Sequence, residues 1–178
     1  DPLAQQTVML RYSRRFDASR GIGRLAKLVN EKNAGEARQL LEHPPEQLFS
    51  LKLRGEQDSA LTRLIIDGHA EAGGSPPGYR HYLEQLQQLR PATGTAWNSE
   101  DWVQWASDVL KAFDEFRLLS ALRRGPWGVE GLNQRVASEL KHRKLIDNDH
   151  GWYEGRPVLV TRNDYSLELM NGDIGIVL

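Results

Sequence analysis

Two clusters in this 178-residue chain hold residues suited to binding phosphate or nucleic acid. The first is Arg14-Arg15, which follows a short apolar piece at residues 8–12 and precedes a helix start. A guanidinium is a planar fork that grips phosphate oxygens in pairs, so two of them at the end of a strand suit a phosphate contact. A surface salt-bridge role fits the same residue types. The second cluster is Arg162-Asn163-Asp164-Tyr165 together with Asn171-Gly172-Asp173. Such a loop can hold a nucleic-acid backbone while an aromatic ring stacks on a base. A hairpin whose Asn and Asp residues serve only the turn explains these residues with fewer assumptions.

Other groups are weaker. Gly21-Ile22-Gly23-Arg24-Leu25-Ala26-Lys27 has the look of a phosphate loop but lacks both the Gly-Lys-Ser/Thr ending and the third glycine of the dinucleotide fingerprint. A tight turn into a helix is the simpler reading. The five histidines have no metal-ligand spacing and no cysteine stands near them, so no metal site is expected. Glu100-Asp101 and Asp114-Glu115 sit where solvated helix faces are expected, and Trp102 and Trp105, three apart on a helix, suit core packing better than base stacking.

The elements that must carry these groups follow from periodicity. Ser19 is positioned to cap a helix over 21–30, with Ile22, Leu25, Ala26 and Val29 on one face. A second helix is expected over 34–42, stopped by Pro44-Pro45. Phe49, Leu51 and Leu53 alternate with polar residues as a strand does. Helices are expected over 59–72, 79–89, from Ser99 onward and over 129–142, with a Gly- and Pro-rich loop over 73–78. Residues 116–122 fit a buried strand, 125–128 a turn, and 157–161 a strand leading to the Asn171-Gly172 turn. Helices alternating with buried strands make α/β the expected class.

Composition narrows the function. Twenty-three basic and 24 acidic side chains leave a net charge of -1, so affinity for nucleic acid must be local. Residues 1–30 hold six basic side chains against two acidic ones, which makes the N-terminal segment basic. The lack of cysteine excludes disulfides and thiol chemistry and fits a reducing cytoplasm. No apolar run approaches the ~18 residues of a membrane helix, and residues 1–6 do not resemble a signal peptide.

Three stretches together resemble a known family. Leu10-Arg11-Tyr12-Ser13-Arg14-Arg15-Phe16-Asp17-Ala18-Ser19-Arg20-Gly21-Ile22-Gly23 resembles helicase motif IV of the RecD type, the alpha subunit of exodeoxyribonuclease V. Residues 116–133, with Leu118-Leu119-Ser120-Ala121-Leu122-Arg123, Gly125-Pro126-Trp127-Gly128 and Leu132-Asn133, are similar to that family's next block. Residues 152–175 are similar to its third, and the three stand in the family's order. The resemblance implies a superfamily 1 helicase moving 5′ to 3′ on single-stranded DNA beside RecB-like and RecC-like subunits in bacterial double-strand-break repair, in the cytoplasm and without a membrane. It implies a RecA-like (P-loop NTPase-type) second helicase domain over 1–170, incomplete, with 31–115 as a variable helical region and 171–178 as the start of an SH3-like inserted barrel.

In that family ATP and Mg²⁺ lie between two RecA-like domains, and the second domain delivers arginines to the terminal phosphate. The resemblance puts Arg15 in that role and Arg14 second. Arg162, Asn163, Tyr165 and Asn171 are the candidate DNA contacts. The chain carries no Walker A sequence, no acidic magnesium motif and none of the later helicase motifs. Both ends are therefore expected to be cut, and the piece alone is expected to bind no nucleotide and to be inactive. A helicase-like scaffold module without catalysis is the alternative.

Overall fold

The computed structural model describes residues 16–45, 48–69 and 77–178, which fall into two compact units divided after Lys52. In the first unit, α1 (Gly21–Asn30) and α2 (Ala34–Glu42) form a helical hairpin. Lys32 takes a left-handed φ of 58° at the turn, and the Asn33 N–H donates to the Leu28 carbonyl at 2.9 Å. Asn33 then caps α2 through the Glu36 N–H, while its amide donates back to the Glu36 carboxylate at 2.7 Å. Leu28, Ala37 and Leu40 form the small core, with Leu25 and Leu48 packed against it.

Two expectations about α1 need correction. Gly21, Gly23 and Leu28 are buried and Leu25 half-buried, whereas Ile22 and Val29 are 48% and 60% exposed. The apolar residues of α1 offer two overlapping stripes, and the one facing α2 is buried. Ser19 is also not the cap. Its hydroxyl and its N–H both donate to the Asp17 carboxylate, and Arg20 stands at the N-cap without a side-chain bond. Hydrogen bonds from the Ser19 hydroxyl and then the Ser19 N–H hold the Asp17 carboxyl below its ordinary value.

In the second unit, α3 (Ser59–Asp67), α4 (Tyr79–Gln88), α5 (Glu100–Asp114) and α6 (Val129–His142) enclose the larger core. Ile65 and Ile66 of α3, Leu83 and Leu86 of α4, and Val109 of α5 are all buried, as is Leu140 of α6. The Tyr79 ring stacks on Phe113 at 6.0 Å and meets Phe116 edge-on at 5.1 Å. Asp58 caps α3, accepting from the Ala60 N–H at 2.9 Å. Asp67 accepts from Arg80 of α4 at 2.8 Å and Arg143 just past α6 at 2.5 Å, which ties three helix ends together.

The two helical segments expected after residue 99 and over 129–142 are present, and Trp105 is core, its indole N–H donating to the Leu86 carbonyl at 3.0 Å. Trp102 meets Trp105 edge-on at 5.3 Å. The helix expected over 59–72 ends at Asp67, where Gly68 takes a φ of 80°.

Two expected strands are absent. Residues 48–53 and 116–122 form no ladder. Around the second, burial alternates: Phe116 and Leu118 lie against the helical core while Leu119 is 88% exposed. Alternation records which side of an extended chain is covered, but a strand also needs a neighbour to take its N–H and C=O groups. Here the Leu118 N–H goes instead to the Tyr79 hydroxyl at 3.3 Å.

The strand expected at 157–161 is present as β1 (Pro157–Leu159), paired antiparallel with β2 (Ile174–Ile176) in the register Pro157↔Ile176, Val158↔Gly175, Leu159↔Ile174. Among the described residues the architecture is thus helices with one two-stranded sheet, compatible with the α/β class.

Candidate functional site

The two arginines expected at the phosphate, Arg14 and Arg15, lie outside the described residues. The glycines after them serve the turn into α1. A Cβ at Gly23 would fall 2.0 Å from the Asp17 carbonyl oxygen, so only glycine lets the chain double back there. A cleft of about 300 Å³ in this unit is lined by Ser19, Arg24, Lys27, Glu31, Asn33 and Glu36. Its acids and bases balance, so it does not select an anion.

The second predicted cluster sits on the loop joining β1 to β2. The ladder runs on past the strands: the Val177 N–H donates to Arg156 at 3.0 Å and the Gly155 N–H to Val177 at 2.8 Å. At the other end the Val160 N–H donates to Asp173 and the Gly172 N–H to Val160. Beyond that, Asp164 and Leu169 exchange both backbone bonds, at 2.7 and 2.9 Å, closing an inner loop. Asp164 fastens this inner loop by accepting from the Ser166 N–H and hydroxyl and from the Leu167 N–H. Those bonds, the Ser166 hydroxyl first, hold its carboxyl below the ordinary value.

Asn171-Gly172 is a turn, as its residues predict. The Asp173 N–H donates to the Met170 carbonyl at 3.0 Å, and Gly172 takes a φ of 101°, the type II pattern. It turns the chain inside the loop and does not join the strands directly.

The four predicted DNA contacts divide by what their groups already do. The Asn163 carbonyl accepts from the Asn171 N–H at 2.8 Å, and its amide donates to the Tyr165 hydroxyl at 3.1 Å. Its side chain thus holds the loop together. Arg162 has no hydrogen-bond or ion-pair partner among the described residues, and the Tyr165 ring is 76% exposed. The loop can offer one cation and one aromatic face to a ligand, with Asn163 and Asn171 fixing the backbone beneath them.

Sequence reasoning missed the joint that positions this loop. The Tyr82 hydroxyl, buried on α4, donates to the Gly155 carbonyl at 2.9 Å, and burial pushes that phenol far above its ordinary pKa. Gly155 has a φ of 84°, and a Cβ there would fall 2.6 Å from a Leu83 methyl. The signal in the sequence was a lone Gly before a strand, which does not reveal that its partner is a tyrosine 73 residues earlier.

Among the described residues no group of three or more His, Asp or Glu side chains could hold a metal ion, and no helix is long and apolar enough to cross a membrane.

No protein-family profile matches the chain. Over 181 aligned residues, its whole length, the chain is 32% identical to the RecBCD enzyme subunit RecD of Haemophilus influenzae, covering 27% of that protein. The RecBCD enzyme subunit RecD of Mycolicibacterium smegmatis is 37% identical over 125 residues, which cover 70% of the chain and 22% of the relative. The protein of the same name from Mycobacterium tuberculosis is 51% identical over 74 residues, 41% of the chain and 13% of the relative. The chain spans about a quarter, or less, of the length of the curated relatives it matches.

Proposed function

We propose, from the premise that this chain is of RecD type along its whole length, that it supplies part of the second RecA-like motor domain of an ATP-driven helicase subunit. The observation that carries the reading is the identity of 32% sustained over the full chain. The three sequence blocks in family order lie within that alignment and agree with it.

In this reading the parent protein moves 5′ to 3′ on single-stranded DNA, with RecB-like and RecC-like partners, during double-strand-break repair in the bacterial cytoplasm. ATP and Mg²⁺ lie between the parent's two motor domains, with the P-loop on the first. Arg15 faces the terminal phosphate from the second, and Arg14 supports it. A positive group delivered across a cleft stabilises the charge that develops on the transferred phosphoryl group. The same contact makes closure of the cleft depend on bound nucleotide. Arg162 and Tyr165 meet the DNA strand, the first at a phosphate and the second at a base face. Their exposure, and the lack of a partner for Arg162 among the described residues, support that role. The SH3-like insertion begins over residues 171–178.

The test is the single-stranded-DNA-stimulated ATPase rate of the full-length parent with Arg15→Ala beside the unaltered protein. Turnover is expected to fall by ~10³-fold or more while nucleotide still binds. Unchanged turnover would remove Arg15 from the cleft, and a parent without any ATPase activity would favour a scaffold role.

A further inference from the structure

Helix α5 carries more apolar surface than the core uses. Its buried residues, Trp105, Val109, Ala112 and Phe113, form one face. At about 100° per residue, Val103, Ser107 and Leu110 fall together on the opposite side, at the three- and four-residue spacing of a packing seam. Val103 is 71% exposed and Leu110 37%. Glu100 and Asp114 continue the same line by one turn at each end, so the apolar stripe finishes in an acid both ways.

The loop before α5 adds a further apolar group at that end. The Thr95 N–H donates to Ala92 at 3.0 Å and the Ser99 N–H to Ala96 at 2.9 Å, two turns that fix the backbone on either side of Trp97. The Trp97 ring is nonetheless 86% exposed. Charge on this stretch is one-sided. Residues 97–115 hold Glu100, Asp101, Asp108, Asp114 and Glu115 against Lys111 alone. Lys111 is taken by Asp108, and Asp114 by Arg117. Glu100 and Asp101 have no ion-pair partner among the described residues.

We propose that this stripe of α5 is a docking seam for a helix of a partner subunit, one whose own apolar seam is flanked by lysine or arginine. The inference rests on the reading of the parent as one subunit of an assembly and adds to it a specific contact surface. Charge selects the occupant. A surplus of acids repels a nucleic-acid backbone. A second copy of α5 laid along the stripe would set Glu100 and Asp114 against acids in either direction, parallel or antiparallel. A helix with a basic rim meets no such repulsion. It covers Val103 and Leu110 with its apolar residues while its cations, reaching past them on long stems, face Glu100 and Asp101. Trp97, on a backbone already fixed by turns, presents a large ring whose burial costs little freedom, as interface anchors do.

The experiment titrates the labelled full-length parent with the purified pair of RecB-like and RecC-like subunits from the same organism, and follows the parent alone by sedimentation and thermal melting. Val103→Lys/Leu110→Lys is expected to weaken association roughly tenfold or more, the scale of losing an interface anchor. Val103→Lys alone, at the more exposed position, is expected to act in the same direction without any effect on folding. The apolar counterpart Val103→Leu/Leu110→Met keeps the affinity. Glu100→Gln/Asp101→Asn slows association and flattens its salt dependence. The single-stranded-DNA-stimulated ATPase rate of the parent alone stays unchanged in all four variants. Lysine variants that bind the pair with unaltered affinity overturn the proposal and leave the subunit reading standing. A lowered thermal midpoint of Val103→Lys in the parent alone also overturns it, by assigning the stripe to the parent's own chain. An unaltered parent that sediments as a dimer, and a lysine variant that sediments as a monomer, overturn it in favour of a second copy. An unaltered parent that does not bind the pair overturns the subunit reading as well.

Discussion

Asn163 and Arg162 are neighbours with different work, and substitution separates them. Asn163→Ala removes the acceptor for the Asn171 N–H and the donor to Tyr165, so the inner loop loosens. These bonds are exposed, so the cost in stability is expected to be about 1 kcal/mol or less, with faster amide exchange at Asn171 as the readout. Arg162→Ala breaks no bond among the described residues. It is expected to leave stability unchanged and to weaken oligothymidylate binding by the full-length parent. An Arg162→Ala variant of normal affinity would take Arg162 out of the interface. From sequence the four residues looked alike, because residue type alone does not tell whether a polar group faces a ligand or its own loop. The loop and its turn were legible from Asn171-Gly172, but the division of labour within it was not.

At the scale of elements, the helices were legible and the strands less so. Val129–His142 was bounded correctly because Gly128 precedes it and its apolar residues recur at helical spacing. Residues 116–122 were misread because alternation reveals a covered face and says nothing of a partner strand. On α1 the period was right and the face was wrong, since Leu28 faces α2 and Val29 does not. The helix ends joined by Asp67 give a pH dependence with a definite sign. Burial raises its pKa, but the bonds from Arg80 and Arg143 outweigh that and hold it below the ordinary 3.8. A carboxyl depressed in the folded state contributes stability that is fully present above 3.8 and is lost as pH falls through the folded value. Urea melts are expected to show Asp67→Asn less stable near neutrality, with the gap to the unaltered protein narrowing as pH falls below 3.8. A constant gap down to about pH 2 would show that the loss comes from packing alone.

For the molecule as a whole, the hairpin is the element whose placement was least legible, since its anchor on α4 is 73 residues away. Gly155→Ala forces a side chain into Leu83 at a φ of 84°, and both effects destabilise the second unit. The expected cost is about 2 kcal/mol or more, read as a lower denaturant midpoint with little change in slope. Tyr82→Phe leaves the Gly155 carbonyl without its donor and is expected to cost about 1–3 kcal/mol. Gly155→Ala at unaltered stability would mean that the hairpin root can shift away from α4.

That root also has a mechanical meaning. The β1–β2 arm is gripped at Gly155 by a buried tyrosine hydroxyl and the flank of Leu83, while its far end, with Arg162 and Tyr165, stands in solvent. Such an arm is a lever with a stiff pivot. A sideways pull on the tip has no slack linker in which to dissipate, so its torque falls on α4, and through the Asp67–Arg80 clasp it reaches α3.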